Sequence, residues 1–245
     1  MKKRILVIGD IHGAYRALVQ VLERASVTNN DVLVFLGDYV DGWSQSSEVI
    51  NYLIQLNETH DCIFIRGNHD TWCEEWLMGK EAAKKWLFNG GEATVKSYEQ
   101  IIELEKQKHI AFYNRMLNYF VDGENRLFIH AGFSSMHGPE HEIYSSNYSW
   151  DRTLWEMAIT MDSRIKKDSK LYPKRLKLFN EIFIGHTPTT NYDVYEPMNA
   201  INVWNVDTGA GFDGKLTVMD VETKQCWQSD NVKLIYPLEK GRNKD

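Results

Sequence analysis

Side chains able to bind metal ions are concentrated in five short glycine-containing clusters of this 245-residue sequence. Four of its eight histidines lie in these clusters. The available ligands are carboxylate and amide oxygens and imidazole nitrogens, which suit manganese, iron or zinc and exclude a structural zinc site built from cysteines. The clusters are Gly9-Asp10-Ile11-His12-Gly13, Gly37-Asp38-Tyr39-Val40-Asp41-Gly42, Gly67-Asn68-His69-Asp70, His130-Ala131-Gly132 and Gly185-His186-Thr187-Pro188.

Each cluster directly follows a short β-rich run, which is typical of a buried strand. The runs are residues 4–8, 32–36, 63–65, 127–129 and 182–184. Open α/β sheets bind their ligands in the crevice at the carboxyl ends of the strands, and glycine lets the backbone turn sharply there. We therefore expect the five clusters to converge at one edge of a sheet.

Convergence of these ligands would create a site for two divalent ions bridged by a carboxylate. Two such ions, ~3.5 to 4 Å apart, can share a hydroxide nucleophile and neutralise charge on a phosphoryl group during in-line displacement. A single Gly-Asp-x-His motif is usually a turn with a solvated aspartate. Five such clusters, each after a strand, do not arise from independent turns, so they predict a dinuclear phosphoester-hydrolysing site.

The elements that must position these clusters alternate between β-rich runs and helical periods, which predicts an α/β layered fold. Leu18, Val21, Leu22 and Ala25 recur at helical spacing and should pack against the sheet. The segment from about 71 to 125 is long and helical in character, and we interpret it as a helical cap inserted into a single domain spanning residues 1–245. Trp72 and Trp76, four residues apart in this segment, are interpreted as packing residues.

Composition limits the possible partners and the cellular location. Thirty-four acidic and 28 basic residues give a net charge of -6, which argues against general nucleic-acid binding. No apolar stretch is long enough to span a bilayer. Three cysteines are widely spaced and form no CxxC pair, so we expect free thiols and a cytoplasmic protein. The oligomeric state stays open.

The five clusters, together with Asn205-Val206-Asp207-Thr208-Gly209-Ala210, resemble the calcineurin-like metallophosphoesterases. Within that superfamily the chain resembles the phosphoprotein phosphatase branch, which includes bacterial serine/threonine protein phosphatases and symmetrical diadenosine tetraphosphatases. The resemblance implies a layered β-sandwich with flanking helices, in an αββα arrangement. It also implies a metal-ligand set: Asp10 and His12 for the first ion, Asp38 as the bridge, and Asn68, His130 and His186 for the second ion.

The resemblance further implies that His69 is the general acid and that Asp41 orients it. Independently of the family, cleavage of an unactivated ester needs a proton donor, and an imidazole near two cations stays charged only beside a carboxylate. The implied cofactors are two divalent ions, with manganese preferred and iron, zinc or nickel as alternatives.

The sequence departs from the family pattern immediately after Asp41, where the family usually has an arginine that binds phosphate and this chain has Gly42. We therefore expect Arg152 to bind substrate together with Asn68. Arg66 is a weaker candidate. Activity on small phosphomonoesters should be lower than is usual in the family, and Gly42→Arg should raise it.

The preferred function is hydrolysis of phosphomonoesters, with phosphoserine or phosphothreonine proteins as substrates and a metal-bridging hydroxide as nucleophile. Alternatives are a dinucleoside polyphosphate hydrolase, a phosphodiesterase, and a non-catalytic module that binds metal or phosphate. Seven basic residues between 164 and 177 could attract an acidic substrate, although such runs usually face water.

Overall fold

The computed structural model describes residues 3–243. Within this range there are ten strands, numbered β1 to β10 along the chain. They are β1 Ile5–Ile8, β2 Val32–Phe35, β3 Asp61–Phe64, β4 Tyr119–Val121, β5 Arg126–Ile129, β6 Glu181–Ile184, β7 Met198–Ala200, β8 Val203–Asn205, β9 Thr217–Asp220 and β10 Cys226–Gln228. They form two mixed five-stranded sheets, ordered β10-β9-β1-β2-β3 and β4-β5-β6-β8-β7.

The helices of the described chain flank the two sheets. Their bounds are α1 Tyr15–Arg24, α2 Ser46–Leu56, α3 Asn68–Leu77, α4 Lys84–Trp86, α5 Glu92–Ser97, α6 Glu103–Tyr113, α7 Asn147–Trp150, α8 Thr153–Thr160 and α9 Val232–Ile235. Helix α1 buries the apolar stripe expected from its spacing, including Leu18 and Val21. None of the helices in residues 3–243 is long and apolar enough to cross a membrane.

Three apolar layers hold the molecule together. The layer between the sheets contains Val7 and Val34 from one sheet and Phe128 and Phe183 from the other. The other two layers lie between each sheet and its helices. This arrangement confirms the expected αββα fold.

Parallel pairing brings the ligand-bearing strand ends together. In the first sheet β2 runs parallel to both β1 and β3, and in the second sheet β6 runs parallel to both β5 and β8. The carboxyl ends of the neighbouring strands therefore meet at one edge of each sheet. The polar clusters that follow them leave the two sheets on the same side of the sandwich, because Asp38 and Asp10 contact the loops of the second sheet.

The middle of the chain is largely helical, with α3 to α6 lying between Asn68 and Tyr113. Trp86 and Tyr98 belong to the same apolar layer as α1, so these helices pack on the first sheet. Strand β4 then pairs antiparallel with β5 of the second sheet. The interpretation of residues 71–125 as a cap stays a prediction. The limits of the predicted single domain, residues 1 and 245, lie outside the described residues.

Candidate active site

Five of the six predicted metal ligands and His69 lie around the carboxylate of Asp38. Its Oδ2 is 3.7 Å from Nε2 of His12 and 3.4 Å from Nε2 of His130. Two overlapping groups of side chains could each hold an ion, and Asp38 belongs to both. One group adds His12 and His69, the other adds His130 and His186, and the ligand atoms within each group lie within 4.8 Å of one another. Asp38 is therefore the one side chain that the two groups share.

Asp10 and Asn68 extend these two groups. Oδ2 of Asp10 is 3.9 Å from Nε2 of His12, and Oδ1 of Asn68 is 3.3 Å from Nε2 of His130. We call the six residues Asp10, His12, Asp38, Asn68, His130 and His186 the floor of the site. All six are buried.

Two observations indicate that the floor is suited to binding divalent cations. Nε2 of His186 is buried and has no hydrogen-bond partner among the described residues, so its lone pair is available to a ligand. Burial and the neighbouring Asp207 carboxylate raise the pKa of Asp10 well above its ordinary value. Burial likewise raises the pKa of Asp207 to about 6. Buried carboxylates so close together need compensating positive charge, which bound cations would supply.

Hydrogen bonds to backbone carbonyls fix the orientation of two floor imidazoles. Nδ1 of His12 lies 3.1 Å from the carbonyl oxygen of Val40, and Nδ1 of His130 lies 2.8 Å from that of Leu36. A carbonyl can only accept, so in the neutral tautomer Nδ1 of each ring donates and Nε2 keeps its lone pair for a metal.

The carboxylates are held by backbone donors as well. His69 N–H donates to Oδ1 of Asp38 at 3.0 Å, which leaves Oδ2 directed towards the histidines. Asp70 accepts from the N–H groups of Asp38, Tyr39 and Gly67 at 2.8 to 2.9 Å and ties the second and third clusters together. Burial and the Asp38 charge raise the pKa of Asp70 to about 7.

The backbone of the ligand-bearing loops is strained. His12, Asp38, Asp41 and His186 have φ angles of 53°, 53°, 75° and 68°, in the left-handed region that favours glycine. Such conformations cost on the order of 1 kcal/mol or more each and persist where the surroundings enforce them, most often at functional sites. The neighbouring glycines are required for close approach, because a Cβ on Gly67 would collide with the Asp38 carboxylate.

The side chain of His69 is paired with that of Asp41. The distance from Nδ1 of His69 to Oδ2 of Asp41 is 2.5 Å, and both side chains are buried. Asp41 also accepts from Nε1 of Trp86 at 2.7 Å and from Oγ1 of Thr94 at 2.6 Å. With Nδ1 engaged, Nε2 is the nitrogen of His69 that can exchange a proton with a group in the adjoining cavity.

A small cavity opens above the floor and is bordered by basic and aromatic side chains. Arg152 is exposed and donates from Nη1 to Oγ1 of Thr187 at 2.9 Å. Nζ of Lys85 lies 5.2 Å from the ring centre of Trp150, which is 38% exposed. Arg242 reaches the same cavity from the end of the described chain. We call Lys85, Trp150, Arg152 and Arg242 the rim of the site.

Other residues singled out from the sequence lie elsewhere. Arg66 does not line this cavity, because its guanidinium pairs with Glu74 and with the carbonyl of Tyr113. None of the basic residues in segment 164–177 borders the cavity. Arg175, for example, donates to the carbonyl of Phe133 at 2.7 Å. Of the two cap tryptophans, only Trp72 lines the cavity.

Several residues of the site belong to no local sequence motif and were not predicted from the sequence. Trp86 and Thr94 bind Asp41 across sequence separations of 45 and 53 residues. Arg242 lies 230 residues from His12 and follows Lys240 and Gly241 in no recognisable motif. Asp70 could have been singled out, because it completes the Gly67-Asn68-His69-Asp70 cluster.

Comparison with known proteins gives a consistent family assignment. Two similar proteins are bis(5′-nucleosyl)-tetraphosphatases PrpE [asymmetrical], from Anoxybacillus flavithermus and Oceanobacillus iheyensis. The first is 28% identical, covering 87% of this chain and 88% of the relative. The second is also 28% identical, covering 91% and 90%.

Solved structures show the same fold at low sequence identity. A metallophosphoesterase from Sphaerobacter thermophilus matches with a TM-score of 0.56 and 17% identity over 96% of this chain and 95% of that one. A cold-active protein-tyrosine phosphatase of a psychrophilic Shewanella matches with a TM-score of 0.59 and 15% identity over 94% and 81%. The family model described as calcineurin-like phosphoesterase matches residues 3–212. The chain therefore belongs to the calcineurin-like phosphoesterases and is an enzyme that hydrolyses phosphoester bonds.

Proposed function

We propose that this enzyme hydrolyses dinucleoside polyphosphates such as diadenosine tetraphosphate, with two divalent cations held by the floor. The observation that carries the proposal is the rim, where Lys85, Arg152 and Arg242 surround a narrow cavity beside the exposed ring of Trp150. The names of the two PrpE relatives, which describe tetraphosphatases, support the same substrate class.

The charge of the rim favours a polyphosphate over a single phosphate group. A tetraphosphate bridge carries several negative charges along its length, and cations on different sides of the cavity can contact successive phosphates. The cavity is small enough to admit a phosphate group but not a nucleoside, so a nucleoside must lie outside it. The face of Trp150 is then available to stack on a base.

The cations would supply Lewis acidity and a hydroxide nucleophile. Asp10, His12 and Asp38 would hold one, and Asp38, Asn68, His130 and His186 the other. Manganese suits these oxygen and imidazole ligands, with iron, zinc and nickel as alternatives. Metal analysis of the purified protein, followed by activity titration of the stripped protein with each ion, tests this choice.

His69 would donate a proton from Nε2 to the leaving oxygen. The Asp41 carboxylate would stabilise the imidazolium of His69. Hydrogen bonds from Trp86 and Thr94 hold that carboxylate in place. This buried pair keeps the proton donor at one position relative to the floor. Asn68 and Arg152 would orient the phosphoryl group, Asn68 from the floor and Arg152 from its place beside Thr187.

Hydrolysis of phosphoserine or phosphothreonine proteins is the second candidate. It is favoured by the resemblance of the five clusters to the phosphoprotein phosphatase branch and by the size of the cavity, which suits one phosphate group. A protein substrate would have little use for three separate cations. We therefore place dinucleoside polyphosphates first.

A substrate panel decides between the candidates. The manganese-loaded enzyme should show its highest kcat/KM on diadenosine tetraphosphate, compared with 4-nitrophenyl phosphate, bis(4-nitrophenyl) phosphate and a phosphoserine peptide. The products then identify the bond: ATP and AMP indicate asymmetrical cleavage, and two ADP molecules symmetrical cleavage. The Asp38→Asn protein, purified identically, measures contaminating phosphatase. A higher kcat/KM on the phosphopeptide would instead identify a protein phosphatase, and metal binding without turnover a non-catalytic module.

A further inference from the structure

The segment from Glu239 to Asn243 folds back onto the active-site edge of the molecule. Glu239 accepts hydrogen bonds from the N–H and hydroxyl of Ser44 at 2.9 and 2.8 Å. The backbone N–H of Arg242 donates to the carbonyl of Gly211 at 2.8 Å. Gly241 packs so closely on the ring of Trp43 that a Cβ there would lie 2.6 Å from it. The segment is thus fixed immediately before Arg242 and at the backbone of Arg242 itself.

The side chain of Arg242 runs through a passage between three glycines. A Cβ on Gly42 would lie 2.9 Å from Cγ of Arg242, and one on Gly90 would lie 3.2 Å from the same atom. A Cβ on Gly211 would lie 3.2 Å from Cδ. The space beside position 42 is therefore filled by the stem of Arg242.

The guanidinium of Arg242 ends inside the active-site cavity. Its Nε donates to the carbonyl of Asn89 at 3.1 Å, and its Nη1 lies 3.0 Å from Nε2 of His12. Its Cζ lies 4.9 Å from the ring centre of Phe212, within cation–π range. The cavity that it borders is also lined by Asp38 and His69.

We infer that Arg242 binds the phosphate of the substrate and supplies the guanidinium that is missing at Gly42. The sequence has no arginine after Asp41, yet the structure places a guanidinium in the cavity by a stem that crosses Gly42. An arginine is suited to this task because its planar fork can donate two parallel hydrogen bonds to phosphate oxygens. This inference rests on the proposed function and assigns one residue of its substrate site.

The contact with His12 explains how the guanidinium becomes available. The Nε2 lone pair of His12 can accept from Arg242 or bind a metal ion, but not both. A metal ion bound by His12 would take this acceptor from Nη1 of Arg242, while the bonds to Asn89 and Gly211 would still hold the residue at the cavity. A phosphate oxygen then replaces the lost partner.

Calorimetric titration of inorganic phosphate into the manganese-loaded protein tests the inference without relying on turnover. Arg242→Ala should weaken phosphate binding about tenfold to a hundredfold, as expected for loss of charge-assisted hydrogen bonds. Arg242→Lys, which keeps the charge but not the fork, should lose less, and added guanidinium ion should partly restore binding to Arg242→Ala. Arg164→Ala removes an equal charge from an exposed side chain and should change nothing.

Turnover gives a second readout. Arg242→Ala should raise KM for the best substrate of the panel by a similar factor, while manganese binding stays within about twofold of the parent protein. Unchanged phosphate affinity in Arg242→Ala would overturn the inference. If Arg242→Ala also binds manganese more tightly, Arg242 is a competitor of the metal ion for His12 and not a phosphate ligand. Thermal unfolding of both Arg242 variants checks the fold, and Arg242→Lys carries the test if Arg242→Ala unfolds.

The two hypotheses fail in different ways. If the parent enzyme prefers another phosphoester, the proposed substrate is wrong, yet phosphate binding still tests Arg242. If diadenosine tetraphosphate is the best substrate and Arg242→Ala binds phosphate normally, only the assignment of Arg242 fails.

Discussion

The floor and the rim of the active site are built in different ways. The floor residues follow directly on parallel strands, are buried, and are oriented by backbone groups such as the carbonyl of Leu36. The rim residues come from short helices, a loop and the 239–243 segment, and Lys85, Trp150 and Arg152 are exposed. The floor is thus preorganised by the two sheets, whereas each rim side chain depends on a few local contacts.

This difference separates reaction chemistry from substrate choice. A metal site needs ligands held to within a fraction of an ångström, which two packed sheets provide. Contacts with substrate can vary without disturbing that geometry when they lie on connecting segments. Floor variants should therefore lose turnover on every substrate, and rim variants should alter KM and substrate preference.

The largest effect should come from Asp38→Asn, which removes the charge shared by the two metal groups. We expect kcat to fall by about a thousandfold or more on all substrates, because a carboxylate at this position would bridge and organise both cations. Steady-state kinetics and metal analysis measure the effect. Asp193→Asn makes the same change at an exposed residue and should be silent. Appreciable turnover with Asp38→Asn, beyond the level of contamination, would place the reaction elsewhere.

Substitution of His69, the proposed proton donor, should have an effect that depends on the leaving group. His69→Gln should lower kcat about a hundredfold or more on an alkyl phosphate, as general acids typically contribute that much. On 4-nitrophenyl phosphate the loss should be much smaller, because 4-nitrophenolate leaves without a proton. His141→Gln, which changes an exposed histidine, is the control. Equal losses on both substrates would contradict the acid role and favour metal binding by His69.

On the rim, Trp150→Ala should discriminate between substrates. We expect KM for diadenosine tetraphosphate to rise about tenfold, since stacking of one base contributes ~1 to 3 kcal/mol. KM for 4-nitrophenyl phosphate and manganese affinity should stay unchanged, because Trp150 supplies no ligand. Tyr144→Ala removes another exposed ring and serves as the matched control. A similar rise in KM for both substrates would mean that Trp150 shapes the cavity and does not hold a base.

The smallest effect on catalysis should come from Gly42→Arg, for which the sequence alone predicted a gain in activity. The structure reverses this expectation, because Gly42 has φ +110° and its side-chain space holds Arg242. We expect no gain in kcat/KM and a loss of at least ~1 kcal/mol in the free energy of unfolding. Gly79→Arg, at φ +93° with open space around it, should cost stability without affecting catalysis. Higher kcat/KM in Gly42→Arg would show that the position is free to accept an arginine.

The fold class was predicted correctly from the sequence, as were β1, β2, β5 and β6 to within about a residue and the position of a polar cluster after each of them. Sequence reasoning succeeded here because strand periodicity and the glycine-flanked ligands that follow each strand are local features. It missed β4, β7 and β10, which are only three residues long and lie at the edges of their sheets. Runs this short carry too little pattern to separate a strand from a loop.

The sequence by itself determined which side chains follow the strands, and therefore the kind of chemistry that this protein performs. Only the tertiary structure decided what surrounds that chemistry: Trp86 and Thr94 on Asp41, Asp207 beside Asp10, and Arg242 in the space left by Gly42. These contacts join residues as far as 230 positions apart. Such pairs are specified by how sheets, helices and connecting segments pack together, and no local pattern of residues encodes them.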